Sequence, residues 1–242
     1  MQPFLIALQF LTSLPIRLPG MPSPEQLGRS LLFYPLVGVL IGLILLGANA
    51  LLGGSPTALH AALLLALWAG LSGALHLDGL ADSADAWLGG LGDRERTLTI
   101  MKDPRSGPIA VVVLVLVLLL KFAALLALVQ QGNTQALLLA PILARATPLA
   151  LFLTTPYIRK GGLGQAAADH LPRRAARYVL AATALGALLI AGWSGAWVLM
   201  LALALFVYLR NAMMKRLGGC TGDTVGAVLE LVEVVVLVGL TL

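Results

Sequence analysis

From Ser30 to Leu77 the chain runs 48 residues without a formal charge. Another charge-free run, Tyr178 to Leu209, covers 32 residues. No soluble fold of this size needs apolar stretches so long, so much of the chain must face lipid or other buried helices. Composition agrees: 59% of the 242 residues are hydrophobic, mean hydropathy is +0.94, and 11% are charged, against roughly 25% in ordinary soluble proteins.

The apolar runs and their breakers predict an all-α, polytopic integral membrane protein of one domain, residues 1–242. Its seven spans fall at about 31–52, 58–77, 108–130, 134–155, 175–192, 195–212 and 224–242. GGSP at 53–56, QGN at 131–133 and GWSG at 192–195 supply the turns. One helix over the 32-residue run would be about 48 Å long, too much for a hydrocarbon layer of about 30 Å, so two short spans folded as a hairpin are expected there. The N-terminus, MQPFLIALQFLTSLP, has no basic residue before Arg17 and no A-x-A site. It reads as a retained short helix, interfacial or re-entrant, and not as a cleaved signal.

Charge placement sets the topology. The loops 15–30, 78–107, 156–177 and 210–223 hold 14 of the 16 Lys and Arg, while 53–57, 131–133 and 193–194 hold none. With seven spans the two sets alternate, which places the charged loops in the cytoplasm, the C-terminus outside and the protein in the cytoplasmic (inner) membrane. The pI near 9.8 therefore reports topology and not a nucleic-acid surface, since the cations form no single stripe. Nine acids lie on the same face as the cations; Glu230 and Glu233 alone sit inside a span. Polar chemistry is thus gathered at the cytoplasmic face, which argues against a channel or a cation transporter. The lone Cys220 excludes an internal disulfide and a multi-Cys zinc site.

Three clusters carry chemistry. In HLDGLADSADAW (76–87), Asp78, Asp82 and Asp85 fall on one helix face. Carboxylates without a matching His or Cys favour a hard cation, Mg²⁺ with Mn²⁺ as substitute; the plainer reading is a solvated helix face. In IMKDPRSGP (100–108), Lys102 and Arg105 flank Asp103 just before Pro108 opens a span. That pattern suits a phosphate at a helix N-terminus or, more simply, anchors the span. LGGCTGD (217–223) offers Gly219, Thr221 and Asp223, either as a phosphate loop or as an N-cap with turn glycines. Glu230 and Glu233, one helical turn apart, need the two in-span cations, Lys121 and Arg145, as partners. They form a structural ion network or a polar floor beneath the site. The 156–177 cations read as anchors and headgroup contacts, with a nucleotide phosphate as an extra duty, and His76 as a satisfied interfacial histidine.

Together these features are equipment for phosphoryl transfer at a membrane face. HLDGLADSADAW, RTLTIMKDPRSG and LGGCTGDTVGAVLELVE, with FLTSLPIRLP, FYPLVGVLIG and GLG at 162–164, closely resemble the cobalamin synthase (adenosylcobinamide-GDP ribazoletransferase) family over essentially the whole chain. The resemblance implies a Mg²⁺-dependent enzyme that joins α-ribazole, or its 5′-phosphate, to adenosylcobinamide-GDP and releases GMP. It implies Asp78, Asp82 and Asp85 as metal ligands, one of them also taking the hydroxyl proton. Lys102 and Arg105 would neutralise the diphosphate, with Asp103 orienting them or joining the metal shell. Arg145, Gly219, Thr221, Asp223, Glu230 and Glu233 would complete the pocket. The lipid bilayer and other cobalamin-assembly enzymes are the further expected partners. Ala86–Trp87 and Ala110 stand where the family often has glycine, which bears on local turn geometry. The alternative is a CDP-alcohol phosphotransferase acting on a lipid alcohol, although the longer aspartate pattern of those enzymes is not matched.

Overall fold

Proline and glycine punctuate this chain, and the helices begin and end where they fall. In the computed structural model, which describes residues 2–242, the elements are helical apart from one isolated bridge. Helix α1 (Gln2–Leu11) is followed by α2 (Pro24–Ser30), which Ser23 caps in a reciprocal box with Gln26. A 3₁₀ turn (Leu31–Phe33) runs on into α3 (Tyr34–Leu51). Next come α4 (Thr57–Leu71), α5 (Leu75–Gly89), α6 (Arg94–Ile100), α7 (Pro108–Gln131) and α8 (Gln135–Thr154). The chain ends with α9 (Leu163–Asp169), α10 (Arg173–Leu217) and α11 (Gly222–Gly239).

Four helical stretches are long and apolar enough to cross a membrane: Pro24–Leu51, α7, α8 and α10. The bent pair α4–α5 makes a fifth if taken as one span. The core is built on α8, the most enclosed of these stretches. It meets α3 at Gly38 and Gly42, where an added Cβ would lie 2.5 Å from the Pro141 carbonyl oxygen and 2.9 Å from that of Leu137. The Gly-x-x-x-Gly spacing lets the two backbones touch, as packing between helices in lipid favours. At ten residues α1 is about 15 Å long, too short to cross a membrane.

The expected hairpin over 175–212 is present. Arg173 Nη2 donates to the Leu153 carbonyl at 2.6 Å and Arg210 Nε to that of Thr154 at 3.2 Å. One straight helix would hold those two arginines about 55 Å apart, so the chain must reverse between them. It does so at Gly192 (φ +52°, ψ −121°). Gly195 then packs on Ala187 so closely that a Cβ would sit 2.3 Å from the Ala187 carbonyl oxygen.

Within the span expected over 58–77 the helix breaks. Helix α4 stops at Leu71 and α5 leaves it at 87°. The physical reason is a Schellman cap: Gly73 is left-handed (φ +60°), Ala74 N–H bonds to the Ala69 carbonyl and Gly73 N–H to that of Gly70. Two of the carbonyls at the helix end, Gly70 and Leu71, also accept hydrogen bonds from Ser13 Oγ and Ser13 N–H at 2.7 and 2.8 Å. The aspartate segment therefore stands on a helix of its own.

Candidate active site

Helix α5 presents its carboxylates to two neighbours. Its first turn presses on the start of α11 at Gly79, where a Cβ would lie 2.8 Å from the Asp223 carbonyl oxygen and 3.1 Å from its Cα. Only a glycine allows that approach, and it brings Asp78 and Asp82 against Asp223. Partial burial pushes the Asp82 carboxyl up to about 6, and the negative charges of Asp78, Asp223 and Asp85 push the same way, with Arg159 opposing. Asp223 is likewise raised by burial, while Arg159 pulls it down through an ion pair at 3.1 Å. Arg159, read from sequence as a membrane anchor, belongs to this cluster. Its position right after the Pro156 loop was the available signal.

Asp85 has a different task. One carboxylate oxygen accepts the Gly107 N–H and the other the Ala110 N–H at 2.9 Å, so Asp85 caps the N-terminus of α7. The anion site expected at that helix start is filled by this chain's own carboxylate. Ala86 lies within α5 and Ala110 in the first turn of α7, so neither departure from glycine costs a turn.

The loop that carries Lys102, Asp103 and Arg105 is pinned on both sides, by Gly107 to Asp85 and by Met101, whose sulfur receives the Thr221 hydroxyl at 3.2 Å. Arg105 grips Asp103 with Nε and Nη2 at 2.9 and 2.7 Å. That grip holds the Asp103 carboxyl down at about 2. Lys102 and Arg105 are exposed.

Gly219 and Thr221 shape the third wall. Cys220 N–H donates to the Pro156 carbonyl at 2.8 Å and Ile158 N–H to that of Cys220 at 3.0 Å, pairing the 156–160 loop with the 218–221 loop. Gly219 permits this, since a Cβ there would sit 2.4 Å from the Pro156 carbonyl oxygen. Thr221 is the N-cap of α11, in a reciprocal box with Thr224. The structure thus gives Gly219 and Thr221 the plainer of their two expected roles.

Below the carboxylates lies a buried ion network. Lys121 of α7 donates to both Glu230 and Glu233, and Arg145 of α8 donates to Glu233. Trp68 of α4 adds its indole N–H to Glu233 at 3.1 Å. All four charged side chains are almost wholly enclosed and their formal charges cancel. Arg145 is 0% exposed, so it holds the bundle together beneath the site and does not line it. His76, expected to be satisfied, is buried with no hydrogen-bond partner on Nδ1.

The donor set can be weighed against a divalent cation. Asp78 and Asp82, with Asp223 opposite, are hard oxygen donors, and their mutual repulsion is what a cation would relieve. Among the described residues no three acidic, His or Cys side chains already stand in ligating positions around one point, so ligation requires rotation of the exposed Asp78 and half-buried Asp82 side chains. Beside them opens a cavity of about 620 Å³ with Asp78 and Asp223 at its edge.

No solved structure matches this chain. The sequence profile for cobalamin-5-phosphate synthase matches residues 3–241. Adenosylcobinamide-GDP ribazoletransferase from Pseudomonas savastanoi pv. phaseolicola is 70% identical over 242 residues, all of both chains. The enzyme of the same name from Pseudomonas syringae pv. syringae is 69% identical over the same extent, and that from Pseudomonas entomophila is 68% identical over all of this chain and 99% of the relative. With its acidic cluster at the α5–α11 contact and full-length similarity of this order, the chain belongs to the cobalamin-5-phosphate synthase family.

Proposed function

We propose that this protein is an adenosylcobinamide-GDP ribazoletransferase whose reaction takes place at the α5–α11 contact. A ribose hydroxyl of α-ribazole, or of its 5′-phosphate, attacks the phosphorus that carries cobinamide in adenosylcobinamide-GDP. The new P–O bond forms as the bond to GMP breaks, and GMP departs. The products are adenosylcobalamin, or its 5′-phosphate, and GMP.

The observation that carries this reading is the convergence of Asp78, Asp82 and Asp223 at the α5–α11 contact, in a chain 70% identical over its full length to an enzyme of that name. Asp82, set beside Asp78 and Asp223, is the carboxylate that takes the hydroxyl proton. Lys102 and Arg105 bear on the diphosphate and stabilise the charge that gathers on the departing phosphate. Asp103, locked to Arg105, fixes the direction of that guanidinium. Mg²⁺, with Mn²⁺ as substitute, would be held by Asp78 and Asp82, with Asp85 contributing the lone pairs left after capping α7, and would neutralise diphosphate charge. Asp223 and Arg159 close the far side, while Gly219 and Thr221 shape the loop beside them. Glu230, Glu233, Lys121 and Arg145 support the floor.

The membrane arrangement follows the charges. Seven crossings, with the α10 hairpin counted as two and α11 as the last, put every loop rich in Lys and Arg in the cytoplasm together with the acidic cluster. The C-terminus then lies outside the inner membrane.

The test is GMP release from adenosylcobinamide-GDP by purified protein in liposomes, with and without α-ribazole and Mg²⁺, beside Asp82→Ala. Release that needs both additions and is lost in the variant supports the reading. An Asp82→Ala protein as active as wild type removes Asp82 from the chemistry, and no GMP under any condition overturns the activity.

A further inference from the structure

The cavity next to the carboxylates is walled in part by α1, α2 and α9, which the transfer chemistry leaves without a task. Helices α5, α8 and α11 supply most of the rest of the lining, with Tyr34 at the start of α3. At about 620 Å³ it lies within the range of small-molecule sites, about 300–1000 Å³. Its walls are aromatic to an unusual degree for this chain, which has six Phe, four Trp and four Tyr in all. Four of those fourteen line it: Phe10, Tyr34, Phe152 and Tyr157. Phe10 and Tyr34 are stacked near parallel, 6.2 Å between centroids, and Phe152 meets Tyr157 edge-on at 5.8 Å. Two aromatic pairs thus contribute to the lining of one chamber.

Polar groups in the lining are few, and some are spoken for. Gln9 Nε2 donates to the Ile16 carbonyl, Ser30 Oγ to that of Leu27, and Asp223 pairs with Arg159. Asp78, His76 and the hydroxyls of Tyr34 and Tyr157 make up the rest; His76 is 5% exposed and its unpartnered Nδ1 is itself enclosed. The ligand that fits is flat, aromatic and largely apolar, with few polar atoms on its ring and a hydroxyl-bearing group that reaches the aspartates. A corrin with its amide arms is far too large for this chamber and would leave its polar arms buried.

We infer that this cavity is the acceptor subsite: it takes the benzimidazole base of the riboside between the Phe10/Tyr34 and Phe152/Tyr157 walls and leaves the ribose at Asp78 and Asp223. The inference rests on the transferase reading and adds to it the place and the selectivity of one substrate. Shape and apolarity set that selectivity: a purine riboside would bury its exocyclic amine or carbonyl against carbon, and an unpaired polar group there is disfavoured.

The test combines equilibrium binding with kinetics. α-Ribazole is titrated by its own benzimidazole fluorescence into detergent-solubilised protein without adenosylcobinamide-GDP, beside guanosine as competitor. Two variants are compared with wild type, Ala167→Trp to fill the chamber and Phe10→Ala to remove one stacking face. Phe10 is 45% exposed, so its loss is the milder test of folding, and elution as a single species checks both. The expected result is at least tenfold weaker α-ribazole binding, as loss of a base–aromatic stack produces, with KM for α-ribazole raised to match. KM for adenosylcobinamide-GDP stays unchanged, and guanosine does not compete. The inference is overturned if both variants bind α-ribazole like wild type, if KM for adenosylcobinamide-GDP rises instead, or if native mass spectrometry finds a phospholipid that α-ribazole does not displace. Wild-type protein that binds α-ribazole but never releases GMP would sink the transferase reading and leave the subsite standing; GMP release with no effect of either variant would do the reverse.

Discussion

Replacing Glu233 by glutamine removes one of two negative charges from a network that is neutral as it stands. Glu233 accepts Lys121 on one carboxylate oxygen and both Trp68 and Arg145 on the other, and it is 1% exposed. Without that charge, Arg145 keeps a guanidinium in the core with no carboxylate beside it, only the new amide oxygen and the Pro141 carbonyl at 3.3 Å. Breaking a buried pair by removing one partner costs about 3–5 kcal/mol. For a chain of this length that corresponds to a fall in Tm of roughly 6–20 °C. Thermal unfolding in detergent, followed by near-ultraviolet circular dichroism, measures it. The double variant Lys121→Met/Glu230→Leu removes one charge of each sign and leaves Glu233 with Arg145, so it should cost far less than the single change. A Glu233→Gln protein melting within about 2 °C of wild type, or less stable in the double variant than in the single, would refute the account of a closed neutral network.

Three further outcomes follow from the site. Asp85→Asn turns one of two amide acceptors into a donor at the α7 N-terminus, and a loss of about 1–3 kcal/mol is expected, with hydrogen exchange quickening at Gly107 and Ala110. Unchanged protection at both amides would remove the capping role. Gly79→Ala drives a methyl group into the Asp223 backbone, so GMP release should fall at least tenfold while α-ribazole binding and Tm show how far the α5–α11 contact has parted; full activity would contradict the packing. Asp82, held up to about 6 against an ordinary carboxylate near 3.9, disfavours its charged form in the folded protein. Its effect is absent below about pH 4 and grows as pH rises through 6, so Tm in Mg²⁺-free buffer should decline across that window. Asp82→Asn should abolish this part of the slope and Mg²⁺ should reduce it. A slope indifferent to both would place the titrating group elsewhere.

Some of this architecture is legible in the residues and some is not. The hairpin in α10 can be read, because 32 charge-free residues with cations at both ends leave no other way to keep those ends together. The ion network can be read too, since Lys121 and Arg145 are the cations inside spans and Glu230 and Glu233 the acids. The break after Leu71 cannot: LSGALHL carries no formal charge and no proline, and only the Schellman bonds and Ser13 reveal that the helix ends there. Asp85 misleads for a tertiary reason. Its spacing from Asp82 is that of a shared metal face, and what diverts it is the start of α7, 22 residues further along the chain. The cavity is invisible for the same reason, being assembled from short helices that are each unremarkable alone.

The bend between α4 and α5 is held from outside. Ser13, just past the end of α1, occupies the Leu71 carbonyl that the break leaves over and adds a second bond to that of Gly70, and α1 also forms a wall of the cavity through Ile6 and Phe10. The angle of the aspartate helix and the seating of the N-terminal helix are therefore one mechanical state. Straightening the bend releases α1, and dislodging α1 strands the Leu71 carbonyl at about 1–3 kcal/mol if water cannot reach it. A tag or truncation at the N-terminus acts on the geometry of the carboxylates some seventy residues away along the chain, through a latch of one serine.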